Sequence, residues 1–315
     1  SSMLNDTDRN SMYFNAIQQC IHHFTKVHQR PPSVLDIGSG TGLLSMAAAK
    51  CGAKLVFSCE MFQTLADLSE NVISANGFED RISVFPGKSS DLDLEANGQE
   101  KVDIVISEIL DSALIGESIL CSHEDAIDRL VSTGDTSSST IHSSNGNDAI
   151  NGSTAADTYC LQDRILPHSG QVFAHLVECE QINHLVNVKG INMLGSIPWK
   201  FPGSEQCRGG WALLPIHWSV YERNYGGKLL SSPELPVEIL NIDFFQGSQH
   251  KVSSEAEEDG NEEEGVSITR TQSKIPASKS GIVHGVLLWW KVRLLSPLVD
   301  PDASCVLHTA PGTVL

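Results

Sequence analysis

The chain has 315 residues, 40% of them hydrophobic, and its 39 acidic against 21 basic side chains give a formal net charge of -18. That length and composition suit a globular protein of one large or two ordinary domains. The acidic balance argues against a nucleic-acid backbone as the partner, which demands a basic footprint, and favours a basic, Arg- or Lys-rich one. Part of the charge lies in EAEEDGNEEE, residues 255–264, which reads as a solvated loop. Neither an apolar N-terminal segment nor a run of about 18 apolar residues is present, so secretion and membrane insertion are not expected. The eight cysteines form no CxxC pair and no His/Cys spacing of a metal site, so reduced thiols of an intracellular protein and no metal are expected.

In chain order, apolar residues from Met12 to His28 recur at helical spacing until Pro31-Pro32 stops the helix. A strand is expected at Ser33 to Ile37, a helix at Gly42 to Lys50, a strand at Lys54 to Cys59 and a helix at Leu65 to Asn76. Strands at Ile82 to Phe85 and Val102 to Ile106 follow. Strand and helix in alternation, with glycine turns, point to a doubly wound parallel sheet, which binds ligands at the carboxyl ends of its strands. From Ser132 to Thr158 the composition collapses to Ser, Thr, Asn, Asp and Gly. Such a stretch cannot bury a core and reads as an insertion or linker. Alternating strands are expected after it, at Gln171 to Glu178, Pro236 to Phe245 and Gly281 to Arg293, while Asn192 to Tyr225 shows no clear period. The expected fold is therefore an α/β doubly wound, Rossmann-like domain over residues 1–132, a linker over 133–160 and an incomplete β-barrel domain over 161–315.

VLDIGSGTGLLSMAAA, residues 34–49, places Gly38, Gly40 and Gly42 between a buried strand and a helix. A dinucleotide fingerprint would have its third glycine at position 43, where this chain has Leu43. With Asp36 at the strand end and glycines two apart, the loop suits S-adenosylmethionine, whose methionine portion would pass the backbone at Gly38 and Gly40. Glu60, ending the next strand, is placed to accept both ribose hydroxyls. Lys88 and Ser89, after the third strand, would border the adenine.

SEILDSALIGE, residues 107–117, sets Glu108 just past the fourth strand and Glu117 nine positions later. Two carboxylates at a core edge resist ionisation unless a cation joins them. A planar guanidinium fits: both acids can hold its fork of N-H donors, leaving one nitrogen free to attack a methyl group. Without the glycine loop, a surface acid and a capping acid would be the simpler account.

MLNDTDRNSMYFNAI, VLDIGSGTGLLSMAAAKCGA, SEILDSALIGE and ILPHSGQVFAHLVE, in this order, resemble the protein arginine N-methyltransferases, and among them the two-module members. The resemblance is strong from Met3 to Glu178, outside the low-complexity stretch, and thinner beyond, where HGVLLWW resembles a strand of the family's barrel. It implies that Arg9 pairs with the cofactor's carboxylate, that Met3 packs near the sulfonium, and that Glu108 and Glu117 clamp the substrate. Dimethylating members carry Trp-Met-Gly after the first glutamate; Ile109-Leu110-Asp111 stands here, and an acid at the third place resembles the monomethylating type. The resemblance also implies basic protein substrates such as histone tails and Arg/Gly-rich segments, either a homodimer or a monomer for a single module, and residence in cytoplasm and nucleus.

Against the family pattern, no aromatic-bearing lid segment precedes Met3, no His-Trp loop follows HGVLLWW, and no second module follows Leu315. Ile216-His217-Trp218 precedes that strand and reads as an ordinary His-Trp pair. The expectation is a truncated first module, either an active enzyme or a silent module that binds cofactor or partner. Methylation of RNA or a small molecule is disfavoured by the acidic charge and the paired glutamates.

Overall fold

The computed structural model describes residues 4–112, 114–132, 160–182, 218–245 and 273–311. The low-complexity stretch, apart from Ser132 and Cys160, and also Met3, His217 and the acidic run 255–264, lie outside the described residues.

Helix α1, Thr7–His28, begins earlier than its apolar period suggests because Asp6 caps it, accepting from Arg9 N at 3.0 Å. Its buried stripe is Tyr13, Ala16, Ile17, Cys20, Ile21 and Phe24, the residues picked out by spacing. The chain then alternates through β1 (Ser33–Ile37), α2 (Leu43–Lys50), β2 (Leu55–Glu60), α3 (Gln63–Ala75), β3 (Ile82–Pro86) and β4 (Ile104–Ser107). Two elements not expected from the sequence complete the domain: the helix α4, Ile119–Arg129, and the two-residue edge strand β5, Ile165–Leu166. The strand order is β3-β2-β1-β4-β5, with every described pairing parallel.

This is the expected doubly wound sheet, and its order reverses between β1 and β4, the place where such sheets bind ligands. Ile37 lies opposite Ser107 in that pairing, so the glycine loop and Glu108 leave the sheet side by side. The expected start of β4 at Val102 is displaced. Val102 instead bridges Val131, and Asp103 binds Arg30 Nη1 at 2.8 Å and Nη2 at 2.6 Å and Ser33 N at 2.9 Å. The core below the site includes Leu35, Ile37, Val105, Ala126, Leu130 and Ile165.

Beyond residue 168 come β6 (Ser169–Glu178), α5 (Trp218–Tyr225), β7 (Lys228–Leu229), β8 (Val237–Asp243), β9 (Gly285–Arg293) and β10 (Val306–His308). Their order is β10-β9-β6-β7 with β8 also on β6, a curled antiparallel half-barrel in keeping with the expected incomplete barrel. By contacts the chain divides into two compact units, residues 1–170, 242–270 and 291–307 in one, and 171–241, 271–290 and 308–315 in the other. In the second, Val177, Cys179, Trp218 and Leu287 form a small core. The seven described cysteines are free thiols, and the described residues hold no cluster able to bind a metal.

Candidate functional site

The glycine loop leaves β1 with Gly38, Gly40 and Gly42 at φ +74°, +56° and +78°, a left-handed path that side-chain-bearing residues rarely follow. Two of them also lack room for a side chain. A Cβ on Gly38 would stand 2.5 Å from Ile109 Cγ2, and one on Gly42 would stand 2.7 Å from Ser69 Oγ. Gly40 differs: nothing lies within 4 Å of its missing Cβ, so its face is bare.

Glu60, only 5% exposed, fastens the loop from β2. Its Oε2 accepts from Gly40 N at 2.9 Å and its Oε1 from Phe62 N at 2.9 Å. Each oxygen keeps a second lone pair, so a pair of hydroxyl donors can still be received. Asp36 lies wholly buried, with Oδ2 accepting from Ser45 Oγ of α2 at 2.6 Å. Burial raises its carboxyl to about 7, against the pull of the Ser45 hydrogen bond. Among the described residues, Asp36 Oδ1 and the hydroxyls of Ser39, Ser58 and Ser69 are buried without a hydrogen-bond partner. Ser39 lies in the glycine turn, Ser69 stands against Gly42, and Ser58 pairs with Asp36 across the sheet, so the buried polar atoms border the glycine turn and fit a polar cofactor there. Lys88 is exposed, while Ser89 is buried in a short turn whose carbonyl accepts from Arg129 Nη2 at 3.0 Å.

Glu108 stands across the switch point. Its Oε2 pairs with Arg9 Nη1 at 2.9 Å, the two side chains being 12% and 17% exposed. Burial pushes its carboxyl up to about 7; Arg9 pulls it down, and the negative charge of Glu117 raises it further. Glu117 is exposed, one residue ahead of Ser118, the N-cap of α4. The intervening loop is folded on itself: Asp111 Oδ1 accepts from Gly116 N at 3.0 Å and Leu114, wholly buried, donates its N-H to Asp111 O at 3.0 Å. Asp111, singled out for product choice, therefore also organises the loop next to Glu117.

The structure thus brings Arg9, Gly38, Gly40, Glu60 and Glu108 to one edge of the sheet, with Asp36 below and Glu117 on the loop. Spacing placed Tyr13, one turn after Arg9, in the buried stripe of α1 but not the role of its hydroxyl, which donates to Ser107 O at 3.1 Å and thereby sets α1 against β4. Sequence reasoning missed His123 on α4, Nε2 2.8 Å from Ser107 Oγ, which burial lowers to about 4 and keeps neutral. Buried Ile119, His123 and Ala126, at helical spacing, were the available signal.

A family model described as ribosomal protein L11 methyltransferase (PrmA) matches residues 15–162. Protein arginine N-methyltransferase 9 of Homo sapiens is 29% identical over 297 residues, 93% of this chain and 31% of that protein. Protein arginine N-methyltransferase 7 of Danio rerio is 27% identical over 314 residues, 99% of this chain and 38% of that protein. The chain therefore spans between 31% and 38% of the length of these relatives. Among solved structures, Arabidopsis thaliana protein arginine methyltransferase 10, in an open conformation, superposes with a TM-score of 0.54 at 17% identity, covering 98% of this chain and 77% of that one, which shows the shared fold. Along nearly its whole length the chain is thus similar in sequence to protein arginine N-methyltransferases.

Proposed function

We propose that this chain is the catalytic module of an S-adenosylmethionine-dependent methyltransferase acting on the guanidinium of arginine in basic protein segments. The observation that carries this reading is the setting of Glu108. It is a carboxylate at the switch point, beside a bare glycine face, that already holds a guanidinium, that of Arg9, at 2.9 Å.

The residues fit the cofactor. Gly38 and Gly40 would receive its methionine portion, Arg9 its carboxylate, Glu60 the ribose hydroxyls, and Lys88 and Ser89 the adenine edge, with Asp36 supporting the loop from beneath. When bound, S-adenosylmethionine supplies an electrophilic methyl group on a sulfonium. Glu108 and Glu117 hold the substrate guanidinium by charge-assisted hydrogen bonds, draw its positive charge to the nitrogens they grip, and leave the remaining nitrogen as the nucleophile. Glu108, poised near 7, can accept at Oε2 the proton that this nitrogen sheds.

We extend the reading to a single methyl transfer. The Asp111 carboxylate fills, in the clamp loop, the place where dimethylating members carry glycine, and it fixes Gly116 beside Glu117. Cytoplasm and nucleus, where Arg-rich proteins are met, are the proposed location, and a homodimer the proposed assembly.

The test is transfer of labelled methyl to an Arg/Gly-rich peptide, followed by amino-acid analysis of the product. Monomethylarginine is expected, with transfer lost in Glu108→Gln and cofactor affinity kept. Dimethylarginine from the wild type overturns the product assignment. Tight cofactor binding with no turnover would instead support the silent module, and label on RNA surviving loss of both glutamates would redirect the substrate class.

A further inference from the structure

The two acids sit at either end of one loop, residues 108–118, and a single buried hydrogen bond ties the elements on which that loop stands. Ser107 ends β4, His123 lies on α4, both are wholly buried, and Oγ is 2.8 Å from Nε2. The other end of α4 is held by the backbone, Val102 N donating to Leu130 O at 2.8 Å. Ser107 is gripped a second time through its carbonyl by Tyr13, on the helix that carries Arg9. The His123 ring meets Phe244 edge-on, centroids 6.1 Å apart.

A hydroxyl and an imidazole removed from water cost free energy unless bonded, and apolar side chains of equal volume would fill this space more simply. What the polar pair adds is direction. It fixes one register between strand end and helix, and Glu108 is bonded in the chain to Ser107 while Glu117 stands just ahead of the α4 N-cap.

We propose that Ser107 and His123 are positioning residues for the arginine clamp, their hydrogen bond setting the spacing of Glu108 and Glu117 across a guanidinium. This rests on the methyltransferase reading above. Neither residue meets substrate; both act through the glutamates. The cofactor contacts proposed above stand on α1, the loop after β1, the end of β2 and the turn after β3, none of them on β4 or α4, so loosening the brace leaves them in place while the guanidinium loses its single pose, which costs rate.

The experiment compares Ser107→Ala, His123→Leu, His123→Gln and the Ser107→Ala/His123→Leu double variant in the full chain. Ser107→Ala and His123→Leu are each expected to lower kcat/KM toward an Arg/Gly-rich peptide by about tenfold to a hundredfold. Affinity for S-adenosylhomocysteine should stay within about twofold, and the double variant should be no worse than the poorer single one. His123→Gln, whose amide nitrogen reaches the former Nε2 position, should recover most of the loss. Amide hydrogen exchange supplies a readout free of activity: amides of residues 108–118 should exchange about tenfold faster in Ser107→Ala and His123→Leu, and near the wild-type rate in His123→Gln, while β1 and β2 stay protected. Unchanged exchange in that loop, additive losses, or failure of the Gln variant to rescue overturns the pairing. If the exchange pattern holds but the wild type methylates no arginine peptide, the methyltransferase reading falls and the loop brace stands.

Discussion

Arg9 Nη1 and Glu108 Oε2 lie 2.9 Å apart, joining the first turn of α1 to the loop after β4 across the switch point. The same guanidinium thus serves two anions in the proposed reaction: Glu108 in the free protein, and the cofactor carboxylate when it arrives. Arg9→Ala should therefore weaken S-adenosylmethionine binding by about tenfold to a hundredfold, the loss of a charge-assisted hydrogen bond of roughly 1.5 to 3 kcal/mol. It should also raise the Glu108 carboxyl, because the cation that pulls it down is gone. Calorimetry and carboxyl NMR titration measure the two effects; cofactor affinity unchanged in this variant would remove Arg9 from the cofactor site.

Glu108 must be ionised to hold a guanidinium, and burial places its titration near 7. Affinity for an Arg/Gly-rich peptide, measured in the presence of S-adenosylhomocysteine, should climb as pH rises through about 7 and level off above it, with a midpoint at or above that value because Arg9 then serves the cofactor carboxylate. In Glu108→Gln the binding should be weak and level across this range. A climb that persists there would belong to Asp36, which titrates in the same region.

Most of this geometry was legible because local rules and tertiary structure agree where it matters. Glycines at 38, 40 and 42, between a β-branched strand and an Ala-rich helix, read as a ligand turn, and each takes a positive φ. The paired acids read as a cation clamp because carboxylates are otherwise out of place beside an apolar strand. What stayed hidden depends on distant partners. β5 is two residues long and exists through pairing with β4, and α4 mixes Cys, Ser, His and Asp along a helix whose polar content masks a narrow buried stripe. The Arg9–Glu108 pair and the Ser107–His123 bond join residues whose proximity only the sheet order creates.

Gly38 and Gly40 should fail differently when given a side chain. At both, the positive φ costs an L-residue about 1 to 2 kcal/mol. Gly38→Ala adds a clash with Ile109 Cγ2, so it should lose more stability and displace the residue after Glu108. Ile109→Ala in the same chain should return part of it. The Cβ of Gly40→Ala meets no protein atom within 4 Å, so stability should fall by that backbone cost alone while cofactor binding drops by tenfold or more, about 1.4 kcal/mol. Urea unfolding with parallel calorimetry separates the two; cofactor affinity unchanged in Gly40→Ala would mean its face does not meet the cofactor.

Asp36 offers a test in the free protein, with no ligand needed. Its carboxyl titrates at about 7 when folded against an ordinary value of 3.8, chiefly because it is buried. Between those values the folded state binds more protons than the unfolded one, so this group's contribution to stability declines as pH rises through the window and levels off above it. At 1.36 kcal/mol per pKa unit the full cost by pH 8 is roughly 4 kcal/mol. His123, held low at about 4, acts with the opposite slope over an overlapping range, so the wild type alone would conceal the effect. The difference between wild type and Asp36→Asn isolates it, since the amide oxygen can still accept from Ser45 and carries no charge. Asp36→Asn should match the wild type near pH 4 and exceed it in unfolding free energy by a few kcal/mol at pH 8. A variant equal to or weaker than the wild type at pH 8 would mean that Asp36 is stabilised as a carboxylate under the glycine loop, and that the cofactor seat carries a buried negative charge.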